Sequence, residues 1–150
     1  MARVFDLVIT IEKDQTLHAE AQARTEPENV RYLLGDTREH LPEVLSAHHD
    51  SLIWLDAHWS GPGTYGEGDE CPILAELEII FVNDPNPVIL IDDARLFLQP
   101  PPSPHDHLAW PSIDELVRAM PTDYRMMVRN DVIYMLRCDV FNSFRAHFQV

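Results

Sequence analysis

The chain has 150 residues, a length that suits one domain spanning 1–150, able to bury roughly 70% of the surface its unfolded form exposes without a disulfide staple. Its 25 acidic residues against 11 Lys and Arg give a net charge of -14, which argues against phosphate-backbone contacts and so against a nucleic-acid partner. The opening "MARVFDLVITIEKD" has a short apolar run broken by Asp6 and no small-residue cleavage site, so neither a signal peptide nor a membrane span is expected; Cys71 and Cys138, outside any CxxC or CxxH pairing, read as reduced thiols of a cytoplasmic protein.

In chain order, "VFDLVITIE" at 4–12 predicts a strand, and "DQTLHAEAQAR" a helix with Leu17, Ala21 and Arg24 on one stripe. A second strand is predicted at 30–35 ("VRYLLG"). The helix "DTREHLPEVLSA" follows, opened by Asp36 and Glu39 at capping-box spacing. "SLIWLD" at 51–56 is the third strand. The glycine-rich "GPGTYGEGDECP" lacks the spacing of a phosphate-cradling loop and reads as a mobile lid. A helix after Pro72 turns Ile73, Leu77 and Ile80 inward, and "PVILID" at 87–92 is the fourth strand. The prolines of "RLFLQPPPSPHDHLAWP" forbid a regular helix and predict a long ordered surface loop. "SIDELVRAM" then starts with Ser112 and Glu115 as a capping box and shows Ile113, Leu116, Val117 and Met120 as a face. The last apolar runs, "YRMMVR" and "DVIYMLR", are separated only by Asn130 and are expected to pair as a hairpin.

Short, near-continuous apolar runs spaced by helices are the pattern of strands covered on both faces. The fold class expected is α/β: a Rossmann-like, open, mostly parallel sheet with helices on both faces and a C-terminal antiparallel hairpin. Ligands of such sheets sit outside the carboxyl ends of the strands. Four predicted strands end there in acid: Glu12, Asp36, Asp56, and Asp92 with Asp93. One such acid often only caps the following helix, and that reading stands for Asp36 taken alone. Four along one rim could reach a single bound molecule.

On these residues the chain resembles class I S-adenosylmethionine-dependent methyltransferases, from about residue 4 to residue 137. The resemblance implies that Glu12 binds the ribose hydroxyls of S-adenosylmethionine, since a carboxylate accepts two hydrogen bonds from a vicinal diol, and that Asp36 in "LLGDT" lies near the adenine. It is closer to metal-assisted O-methyltransferases. That likeness implies that Asp56 in "WLDAHW" and Asp92 with Asp93 in "LIDDAR" hold Mg²⁺, which would lower the pKa of the acceptor hydroxyl. Asp56, His58 and Asp93 are then the catalytic candidates, and the acceptor is a small molecule or sugar.

His58 reads as a general base, an outer partner of the metal site, or a group that orients the loop. Trp59 and Tyr65 either line the acceptor pocket or pack beneath the loop. Arg95 reads as a salt-bridge partner of the two adjacent acids, the expected role, or as a substrate clamp. His105 and His107 have metal-pair spacing but read as part of a solvated loop. The family's opening strand and glycine-rich turn are missing ahead of Glu12, so the domain is expected to be N-terminally truncated. The missing strand would run between those at 4–12 and 51–56. The gap could reflect a shortened chain, be closed by direct pairing of the two halves, or be filled from another copy in a homo-oligomer. Two other readings stay open: a non-catalytic module, and a hydrolase with Asp56, His58, Asp92 and Asp93 as Zn²⁺ or Mn²⁺ ligands.

Overall fold

The computed structural model describes residues 3–24, 28–56, 58–59, 66 and 68–148. Strands and helices alternate: β1 (Val8–Glu12), α1 (Gln15–Ala23), β2 (Val30–Leu34), α2 (Thr37–Ala47), β3 (Leu52–Leu55), α3 (Ile73–Asn83), β4 (Val88–Ile91), α4 (Arg95–Leu98), α5 (Ile113–Ala119), β5 (Tyr124–Arg129), β6 (Val132–Arg137) and α6 (Cys138–Ala146). The fold is α/β with open sheets. Among the described residues no helix is long and apolar enough to cross a membrane.

The strands form two sheets. β1 and β2 make a parallel pair, while the other four run in the order β3, β4, β6, β5, with β3 and β4 parallel and β6 antiparallel to both neighbours. Among the described residues no ladder joins β1 to β3, so the two halves are not paired directly. The C-terminal hairpin forms as expected, with a two-residue turn. Asn130 (φ 50°) and Asp131 (φ 64°) are both left-handed, the twist that suits a tight hairpin, so the turn includes Asp131 as well as Asn130.

Register explains the core. Leu55, Ile91 and Ile133 are cross-strand partners, as are Ile53, Ile89, Met135 and Met126, and these rows share one face. That face meets Ile73, Leu77 and Ile80 of α3 in a single cluster. Each fully buried Leu or Ile there contributes roughly 1.5–3 kcal/mol relative to exposure. The opposite face carries the row Trp54, Leu90, Tyr134 and Met127. α6 covers its far end, where Phe144 meets Tyr134 at 5.4 Å, but Trp54 and Leu52 on β3 stay 40% and 42% exposed. "SLIWL" therefore reads as buried on both faces and is buried on one.

The helices follow their local signals unevenly. Ser112 and Glu115 form the expected capping box, and the inner face of α3 is as predicted. Leu116 is buried, but Val117 is exposed, and Leu17 of α1 is exposed because α1 buries no residue at all. Asp36 caps α2 by accepting from the Arg38 amide at 2.9 Å, while Glu39 is exposed. The proline-rich segment holds one helical turn, α4, and then an irregular loop from 99 to 111 in which Pro101, Trp110 and Pro111 are buried. α6, which no sequence signal flagged, closes the chain.

Candidate functional site

β3 and β4 run parallel and in register, so their carboxyl ends finish together. Leu55 pairs with Ile91, and the Asp92 amide donates to the Leu55 carbonyl at 3.0 Å. This brings Asp56, Asp92 and Asp93 to one corner. Asp93 sits in the left-handed region (φ 55°), a conformation that aspartate tolerates better than most residues, with its amide donating to Asp92 Oδ1 at 2.9 Å. The hairpin turn braces the same corner, because the Asp131 carbonyl accepts from the Ala94 amide at 2.8 Å and its Oδ1 from the Arg95 amide at 2.9 Å.

His58 lies between the acids. Its Nε2 is 3.3 Å from Asp56 Oδ1 and 3.2 Å from Asp93 Oδ2, and its side chain is only 10% exposed. These are ion-pair distances without hydrogen-bond angles, so neither buried ring nitrogen has a hydrogen-bond partner among the described residues. Loss of hydration lifts the Asp56 carboxyl above its ordinary 3.8; His58 opposes the rise, and the charges of Asp92 and Asp93 add to it. Arg95 pairs with Asp93 at 2.6 Å and also with Asp131, which places it on one acid of the adjacent pair and on a turn residue that the sequence did not single out.

Among the described residues no three His, Cys, Asp or Glu side chains are grouped to hold a metal ion. The carboxylates of Asp56 and Asp93 face an imidazole, Asp92 is turned to its neighbour's amide, and Arg95 holds the second oxygen of Asp93. As arranged, the set expected for magnesium, Asp56, Asp92 and Asp93, does not fit a cation that needs several free oxygens around one point.

Glu12 and Asp36 stand on the two-stranded sheet. Glu12 ends β1, with Oε1 accepting from the Asp14 amide at 2.8 Å. Asp36 follows Gly35, whose φ of 145° strains any residue with a side chain and whose added Cβ would meet the His40 ring. The Asp36 carboxylate is heavily engaged: Arg38 donates through Nε and a terminal nitrogen at 2.9 and 2.7 Å, and Lys13 Nζ at 2.7 Å. The Arg38 guanidinium holds this carboxyl far below its usual range, with Lys13 assisting against partial burial. Asp36 also caps α2, as expected for a lone strand-end acid.

Trp59 is buried, with its amide donating to the Glu70 carbonyl at 2.8 Å and its ring against His105. Tyr65 lies outside the described residues, as does half of the segment read as a lid. His105 corrects the solvated-loop expectation. Its side chain is mostly buried, 5.3 Å from the Trp59 ring and 5.2 Å from Trp110, whereas His107 is exposed. Glu70 and Trp110 also belong to this region and were missed, since a Glu ahead of a helix and a Trp between prolines carry no local mark of their partnership.

A scan against protein-family models finds no match, and a search of curated proteins finds no similar sequence.

Proposed function

We propose that this chain is an S-adenosylmethionine-dependent methyltransferase-like domain that methylates a hydroxyl of a small molecule or sugar. The observation that carries the reading is the meeting of Asp56, His58 and Asp93 at the carboxyl ends of adjacent parallel strands, with Glu12 at the carboxyl end of β1. Further support comes from the edges of β1 and β3 that no strand pairs among the described residues, where the family's glycine-turn strand would run in a Rossmann-like sheet, and from the exposed Leu52 and Trp54 on β3.

When bound, S-adenosylmethionine supplies the electrophilic methyl group. Glu12 is suited to the ribose diol. His58, with Nε2 3.3 and 3.2 Å from Asp56 and Asp93, is the base suited to the acceptor's proton, and the two carboxylates stabilise the imidazolium that results.

The test is a calorimetric titration with S-adenosylhomocysteine, with magnesium and then with chelator. Micromolar binding that Glu12→Gln weakens about tenfold, the worth of one charge-assisted hydrogen bond, is expected. No binding under either condition would overturn the reading. It would favour a second one, a non-catalytic module, for which the full engagement of Asp36 by Arg38 and Lys13 speaks.

A further inference from the structure

Glu70 stands where two segments distant in sequence meet. It is 7% exposed, and its main-chain oxygen ties it to Trp59, in the segment that carries His58. Its carboxylate accepts from Trp110 Nε1 at 2.8 Å and from the Asp106 amide at 3.1 and 3.2 Å, and lies 3.3 Å from His105 Nδ1. A buried carboxylate is costly unless donors surround it. Lifting the 99–111 loop would strip the Glu70 carboxylate of the Trp110 indole N–H and the Asp106 amide, so the loop is strapped down.

Trp110 is the piece that reaches the site. Its indole meets His58 at 5.2 Å, His105 at 5.2 Å and Phe97 at 5.6 Å between ring centroids. Of the five buried side-chain atoms without a hydrogen-bond partner among the described residues, four belong to this cluster: Nδ1 and Nε2 of His58, Nε1 of Trp59 and Nδ1 of His105. Among the described residues His58 therefore has no hydrogen bond to fix its ring. Packing against Trp110 does that work, and Glu70 fixes Trp110.

We propose that Glu70 is a positioning residue that, through its hold on the Trp110 indole, orients His58 between Asp56 and Asp93. The inference rests on the reading of His58 as the site's base, but its test needs no turnover. In the full chain with labelled imidazole nitrogens, the His58 ring shifts would be recorded at one pH for wild type, Glu70→Gln, Glu70→Ala and Trp110→Phe, beside the amide signals of the β5–β6 hairpin. Glu70→Ala and Trp110→Phe should both move the His58 signals while the hairpin stays as it was. Glu70→Gln, which keeps an oxygen for the indole N–H, should retain the wild-type shifts, and combining Glu70→Ala with Trp110→Phe should move them no further than either alone. Unchanged His58 signals in Trp110→Phe would overturn the proposal, and that variant decides the matter if Glu70→Ala does not fold. A failed cofactor titration would leave this outcome untouched.

Discussion

In the four-stranded sheet, Ile89, Ile91, Ile133 and Met135 are buried beneath Leu77 and Ile80, whereas no residue of β1, β2 or α1 is fully buried. "VITIE" and "VRYLL" carry strand signals as clear as "VILI". What differs is cover. β4 has a hydrogen-bonded neighbour on each side and α3 across its face, while β1 has β2 on one side and, among the described residues, no strand on the other. A strand signal specifies pleat and pairing, but burial is a property of the neighbours. The acid and histidine of the proposed site belong mainly to the well-covered half, and Glu12 and Asp36 to the open one.

The largest test of this contrast is a pair of truncations followed by urea unfolding. Leu77→Ala should cost about 3 kcal/mol, by lost transfer energy and the cavity left behind, and Ile11→Ala in β1 about 1 kcal/mol. Equal losses would show that the two halves share one continuous core.

Next comes Glu76, a nearly fully buried acid of α3 that accepts from the Thr37 hydroxyl and so stitches α3 to α2. Burial raises its carboxyl above the ordinary 4.5, with the Thr37 hydrogen bond opposing. A carboxyl raised in the folded state binds its proton more tightly there, so the wild type loses stability as pH rises from 4.5 through the folded pKa. Glu76→Gln keeps the acceptor oxygen and should be more stable at pH 8, on the order of 1 kcal/mol, with the advantage shrinking towards pH 4 in thermal melts. A gap that does not change with pH would remove the ionised carboxylate as its cause.

Asp36 has the opposite sign. Its folded carboxyl is lowered, so its contribution is present above the unfolded value of 3.8 and lost as pH falls through the folded one. Asp36→Ala should cost about 1 kcal/mol at pH 7, as a lost helix cap does. That cost should fade in acid, and a constant deficit down to pH 2 would assign the effect to packing instead. The smallest effect belongs to Leu17→Ala, within about 0.5 kcal/mol, because Leu17 is exposed on α1. A large loss there would reveal a surface that something covers in solution.

Much of the plan was legible from local chemistry. The strands near 8–12, 30–34, 52–55 and 88–91 follow from apolar runs, the start of α5 from Ser112 and Glu115, and the hairpin from two strand signals around Asn130. The acids at the strand ends were legible for the same reason: in a parallel sheet, sequence order alone says which end they share. Periodicity could not say which apolar stripes would find cover, and so Leu17, Val117 and Trp54 were read inward and stand partly in solvent. The sequence by itself determined the alternation of strands and helices and the acids that follow the first four strands, because those depend on residues a few positions apart. Only the tertiary structure decided that Asp56 and Asp93 turn to His58, that Asp131 braces the corner, and that Glu70 holds Trp110 against the imidazole. Those contacts join segments up to 40 residues apart, and no local rule carries that far.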